Sequence, residues 1–131
     1  MRRLLLLIVF IAVGAVGALF VVDWQARRAD EVLVVEVPFS ATSRDAVTTG
    51  RIIFVQQDKA DNADLLAHEL VHVCQWEEQG IEFLWSYLNE YRQNLTELRD
   101  LDAAYAEISF EEEARLGEVD CDLGRYVIIE P

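Results

Sequence analysis

The two histidines of the chain stand four residues apart, in His68-Glu69-Leu70-Val71-His72. On a helix that spacing stacks both imidazoles on one face, about 40° apart around the axis, where both can bind a single metal ion. Zinc favours such a nitrogen-rich site, and a third protein ligand would complete the set while leaving one position for water. Glu69 follows the first histidine by about 100°, so its carboxylate can reach that water rather than the metal. It would act as general base, then pass the proton to a leaving amine. The bland alternative is a pair of ordinary helix histidines near a core, with Glu69 a solvated charge. The flanking Leu65, Leu66, Ala67 and Val73 favour the metal reading, because they would bury the back of the helix against the fold.

Several elements must hold such a motif in place. Asp61 or Asn62 can cap the motif helix by accepting orphan backbone N–H groups. The helix should run to about Gln79, with Gly80 as the stop in a left-handed C-cap. Upstream, Val32 to Val37 is apolar and β-branched until Pro38 and reads as a strand. Arg51 to Gln56 reads as a second strand entered through Gly50, after a polar connection from Ser40 to Thr49. Downstream, Ile81 to about Tyr105 reads as a long helix, with Phe83, Leu84, Tyr87, Leu88, Tyr91, Leu95 and Leu98 spaced for one buried face. Ser109 starts a short third helix, and Glu112 three residues later fits a capping box. Tyr126 to Ile129 could add a third strand. The fold class is therefore α+β: a sheet of two or three strands, the motif helix, a long second helix and a short third one.

The stretch Thr48-Thr49-Gly50-Arg51-Ile52-Ile53-Phe54-Val55, a short loop, then Leu65-Leu66-Ala67-His68-Glu69-Leu70-Val71-His72-Val73 and Gln75 resembles the small bacterial minigluzincin-type metallopeptidase domains. The resemblance covers roughly residues 45 to 118. It implies a strand ahead of the motif helix whose edge can pair with an extended peptide, and a downstream glutamate as third zinc ligand. Phe110-Glu111-Glu112-Glu113-Ala114 is similar to the family's Glu-x-x-Ala element. Where related domains place an Asp after that Ala, to orient a zinc-bound histidine, this chain has Arg115. Such a loss weakens metal affinity or activity by about 10- to 100-fold unless Glu118, Asp120 or Asp122 substitutes.

Position narrows the choice among the three glutamates. With Ser109 as N-cap, Glu112 turns back to the helix start. Glu111 and Glu113 lie about 200° apart, and the small Ala114 shares a face with Glu111. The expected ligands are His68, His72 and Glu111, with Glu113 the alternative. For an oxyanion, Tyr87, Tyr91, Tyr105 and Tyr126 are not distinguishable. No phosphate-binding glycine loop or nucleophile elbow is present.

From Leu4 to Val22 no charged or strongly polar side chain occurs. Nineteen residues at helical rise reach about 28 Å, near the thickness of a bilayer's hydrocarbon core. The organisation expected is an N-terminal transmembrane anchor over residues 1–24, a polar linker over 25–31 that could extend the helix, and a zincin-like domain over 32–131. A cleaved signal peptide is the competing reading, but the apolar run outlasts the usual h-region. Trp24 suits an interfacial anchor. Arg2 and Arg3 tie with Arg27 and Arg28, and the α-amino group tips the count toward a single-pass protein with its C-terminal domain outside the cytoplasm.

The first 22 residues hold two of the 11 basic residues and none of the 24 acidic ones, leaving the rest with a formal charge of −15. Such a surface repels phosphate backbones, which argues against nucleic acid as a partner. Cys74 and Cys121 could form a disulfide outside the cytoplasm or stay as buried thiols. The reading that follows is a membrane-anchored zinc metallopeptidase acting on a peptide or protein substrate through a zinc-activated water. Its rivals are a non-catalytic or degenerate zinc-binding domain that recognises a protein partner, and a purely structural acidic module.

Overall fold

The computed structural model describes residues 2–38 and 44–130, with side chains from residue 12 onward in the first helix. Helix α1 (Arg2–Ala29) leads into strand β1 (Glu31–Val37), then β2 (Ala46–Thr49), β3 (Ile52–Gln56) and a 3-10 turn at Gln57–Lys59. Helices α2 (Ala63–Gln79), α3 (Ile81–Leu98), α4 (Leu101–Ala106) and α5 (Ser109–Leu116) follow, and strand β4 (Arg125–Ile129) comes last.

The architecture is α+β, but the mixed sheet has four strands, ordered β2-β3-β1-β4, rather than two or three. The added strand is β2, at the end of the expected polar connection; residues 40–43 of that connection lie outside the described residues. Four residues, two of them threonines, carry little local signal. What makes them a strand is antiparallel pairing with β3, from Ala46 opposite Val55 to Thr49 opposite Ile52. Strand β1 lies parallel to both β3 and β4. Alternation along the strands sends Val32 and Val34 of β1, Ile53 and Val55 of β3 and Ala46 of β2 into a common core with Val73 of α2. Each fully buried Val or Ile contributes roughly 1.5–3 kcal/mol, so the sheet fixes the back of α2 firmly.

Asn62 caps α2, its side chain accepting from the Leu65 N–H at 3.1 Å. At the other end Gly80 has positive φ (60°), but its ψ of −138° departs from the left-handed cap expected; that region is essentially reserved for glycine. The expected long second helix is broken after Leu98. Arg99 is left-handed (φ 55°, ψ 27°), and Asp100 starts α4 by accepting from the Ala103 N–H at 2.8 Å. The single buried face expected of this stretch also fails in part, since Leu84, Leu88 and Leu98 are exposed and Phe83 is buried. The Ser109–Glu112 capping box does not form. Ile108 is the N-cap of α5, and the Ser109 N–H and hydroxyl both donate to the Glu90 carboxylate of α3, at 2.8 and 2.9 Å. A carboxylate from another helix outcompetes the local one.

The 25–29 stretch, read as a linker that could extend the helix, continues α1, and Asp30 (φ 55°) turns the chain directly into β1. Ala26 is buried against the domain. The Asp23 carboxylate accepts from the Arg51 N–H at 2.7 Å. Arg27 pairs with Asp23 and with Glu77 of α2, and the buried Arg51 guanidinium pairs with Glu77 and Asp30, both at 3.3 Å. Gly50 is required here twice over: its φ is +57°, and a Cβ would lie 2.1 Å from an Asp23 carboxylate oxygen. Among the residues with described side chains no helix is long and apolar enough to cross a membrane; residues 4–11 of the run Leu4 to Val22 lie outside them.

Of the two alternatives for the cysteines, the disulfide is the one that forms. It joins Cys74 to Cys121 with a Cα–Cα distance of 5.7 Å across a sequence separation of 47. Closing a loop of that length stabilises by about 4 kcal/mol on chain-entropy grounds.

Candidate metal centre

One turn of α2 presents His68 and His72 to the first turn of α5, where Glu111 lies buried. The Nε2 atoms of the two histidines are 3.2 Å apart. Glu111 reaches both, Oε2 at 3.0 Å from His68 Nε2 and Oε1 at 3.3 Å from His72 Nε2. The three ligand atoms lie within 4.8 Å of one another, a group that could hold a metal ion. The sequence-based ligand set thus comes together, and Glu113 does not join it.

Glu113 instead helps to fix a tautomer. Gln75 Nε2 donates to the Phe110 carbonyl at 3.1 Å and to Glu113 Oε2 at 2.6 Å. Both partners only accept, so this atom must be the NH2 and Oε1 must be the acceptor facing His72 Nδ1 at 2.7 Å. His72 therefore carries a proton on Nδ1, and Nε2 is the atom left facing His68 and Glu111, donating to Glu111 when the ring is protonated and offering its lone pair to a metal ion when it is not. A metal-binding histidine needs that arrangement. The orienting group expected from Glu118, Asp120 or Asp122 is supplied from within α2 instead. Those three acids are exposed, and Asp122 accepts from the Gly124 N–H. Gln75 follows His72 by three residues, one helical turn, so the contact was available to a reading by spacing.

Glu69 stands apart from the ligand group. Its Oε2 accepts from the Thr48 hydroxyl of β2 at 2.6 Å. Burial pushes its carboxyl pKa upward, outweighing the Thr48 bond and the two imidazoles. Glu111 is held well below the usual carboxylate range: burial opposes its ionisation, but bonds from His68, His72 and Tyr87 prevail. For His72 burial acts to lower the pKa, and the Glu111 bond overcomes it and raises the value. Tyr87 donates to Glu111 Oε1 at 2.5 Å, and burial together with that bond raises its phenol. Tyr105 is raised too, by burial and by Glu111. Of the four tyrosines left open by the sequence, Tyr87 and Tyr105 belong to the site. Tyr126 stands exposed on β4.

Two cavities flank the group. One, of about 210 Å3, is walled by Val47, Trp76, Phe83, Leu84 and Leu88 and reaches His72, Glu69 and Glu111. The other, of about 820 Å3, is polar and borders His68. Arg44, Ala46, Glu69 and Tyr105 line both. Strand β2 forms the rim and is an edge of the sheet. The Gln56 N–H donates to the Asp45 carbonyl, which sets the ladder alternation: Val47 and Thr49 bond toward β3, while Ala46 and Thr48 turn their N–H and C=O groups to the open edge. The rim is β2 and not the longer β3, which lies inside the sheet.

A family model described as the eCIS core domain matches residues 36–80. The match covers about a third of the chain and takes in β2, β3 and α2, hence His68, Glu69 and His72, but ends before Glu111. No curated protein and no solved structure matches the chain.

Proposed function

We propose that the chain is a membrane-anchored, zinc-dependent peptidase of the minigluzincin type. The observation that carries this reading is the division of labour around His72: three lone-pair donors converge, while Glu69 is held by Thr48 beside them, at the point shared by both cavities. Two imidazole nitrogens and one carboxylate oxygen are the donor set of catalytic zinc sites, and the His72 tautomer suits it. A zinc ion held by His68, His72 and Glu111 would supply Lewis acidity toward a peptide carbonyl and a water. Glu69 takes the proton of the attacking water and returns it to the departing amine. The open groups of Ala46 and Thr48 pair with an extended peptide along β2. Leu84 and Leu88 offer an apolar side chain a place next to the reacting bond.

The anchor half of the reading rests on the apolar run Leu4 to Val22 and on the exposure of Val13, Val16, Leu19, Phe20, Val21 and Val22 along α1. A water-facing helix with those side chains would be an aggregation hazard. A bilayer removes the hazard and leaves the domain on the extracytoplasmic side, where its disulfide persists.

The decisive variant is Glu69→Gln. It should keep zinc at wild-type affinity while peptide hydrolysis falls by about 100- to 10,000-fold. Zinc content by metal analysis and turnover of a peptide library read the two effects separately. Loss of zinc in this variant would make Glu69 a ligand. Wild-type protein that holds zinc and cleaves nothing would favour a second reading, a non-catalytic zinc module that binds a protein partner. Arg115, standing where related domains place an orienting Asp, is the observation on its side.

A further inference from the structure

Helix α3 carries a band of large apolar side chains on the side away from the core: Ile81 is 62% exposed, Leu84 37%, Trp85 69% and Leu88 47%. Their spacing of i, i+3, i+4 and i+7 confines them to about 100° of the helix surface. The buried Phe83 points the opposite way. Glu82 lies about 100° from Ile81, off the band.

The start of α3 is tied to α1 through α2. Glu77, near the end of α2, is paired with Arg27, and Gly80 alone separates α2 from α3. Arg27 is three residues beyond Trp24, where the exposed apolar part of α1 stops. Adding helical rise to the reach of two long side chains puts the start of α3 within roughly 20 Å of Trp24. The region between is suited to an interface. Arg28 lies over the Trp24 ring, 4.7 Å from its centroid, and the Glu77 carboxylate is neutralised by Arg27 and Arg51.

We propose that the Ile81–Leu84–Trp85–Leu88 face of α3 rests on the interfacial layer of the same bilayer that holds α1, as a second, peripheral contact. A helix with an apolar band and an exposed Trp lies in such a layer with that band buried to a shallow depth. The contact sets the tilt of the domain. Because Leu84 and Leu88 also line the apolar cavity, it turns that cavity toward the membrane surface, so that the substrates within easiest reach are peptide segments emerging from the bilayer. The contact itself rests on the anchor reading of α1 and not on catalysis; its consequence for substrates rests on the peptidase reading as well.

The test uses the full chain in lipid nanodiscs of phosphatidylcholine with or without bromine on the acyl chains. Tryptophan quenching is compared among wild type, Trp24→Phe and Trp85→Phe. Trp76, partly buried beside the cavity, is kept in all three. Brominated lipid should quench the wild type, and each substitution should remove part of that quenching. If Trp24→Phe removes quenching and Trp85→Phe does not, α1 is anchored and α3 stands clear of the lipid, which overturns the proposal alone. If neither substitution changes the quenching, the anchor reading fails and the proposal fails with it. Quenching at Trp85 that disappears in the triple variant Ile81→Ser, Leu84→Ser, Leu88→Ser, with the Trp24 contribution retained, assigns the contact to this band.

Discussion

Helix α2 carries two clusters of polar side chains that differ in where their positive charge comes from. Around Glu77 the chain provides it: Arg51 and Arg27 pair with the carboxylate, and Asp30 and Asp23 complete the set. Around Glu111 the partners are two histidines and a tyrosine, groups able to donate to a carboxylate yet equally able to turn lone pairs to a cation. The first cluster is closed and structural, fastening α1 to α2. The second could take up an exchangeable positive charge, a metal ion. The lesson is that burial of a carboxylate does not mark function; what marks it is whether the partners are permanent cations.

The comparison can be broken by substitution. Glu77→Ala leaves the buried Arg51 short of its main partner and should destabilise the fold by about 3 kcal/mol, equally with and without zinc, as read by denaturant unfolding. Glu111→Gln should differ in its zinc dependence. It costs some stability in chelator, where the bonds from His68, His72 and Tyr87 to an ionised carboxylate are lost, and in addition the stabilisation of wild type by zinc, about 2.7 kcal/mol at a hundredfold excess over Kd, should vanish. If zinc stabilised Glu111→Gln as much as wild type, Glu111 would be no ligand and both clusters would be structural. A finer probe is Gln75→Leu, which releases the His72 tautomer. Zinc affinity should fall about 10- to 100-fold with the melting temperature of the metal-free protein little changed, measured by competition with a chromogenic chelator. Smallest is Asn62→Ala at the start of α2, worth about 1 kcal/mol of stability with no change in zinc affinity.

The legible parts of the molecule were those governed by one turn of helix. The His68–Glu69–His72 geometry follows from 3.6 residues per turn, and Asn62 and Gly80 bound α2 by local backbone chemistry. Glu111 was reached through the resemblance and its spacing to Ala114, although the capping-box part of that argument does not survive, since Ser109 answers to Glu90 across a helix interface. What escaped notice depends on partners far away in sequence. Ala46–Thr49 becomes a strand because β3 is opposite it, and Thr48 thereby reaches Glu69, 21 positions on. The break at Arg99 was visible in part, because Asp100 is a cap residue three before Ala103, but the periodicity of α3 concealed it. The same periodicity assigned Leu84 and Leu88 to the interior, whereas they wall a cavity.

The pairing of β1 with β4, which sets Glu31 beside Arg125, governs the order in which the molecule can be completed. Strand β1 is central to the sheet, yet one of its two neighbours is the last to be synthesised. During synthesis the central strand must wait with one edge bare, and Cys74 must wait for Cys121. Pairings between such distant residues form slowly, and a bare parallel edge is open to wrong partners in the meantime.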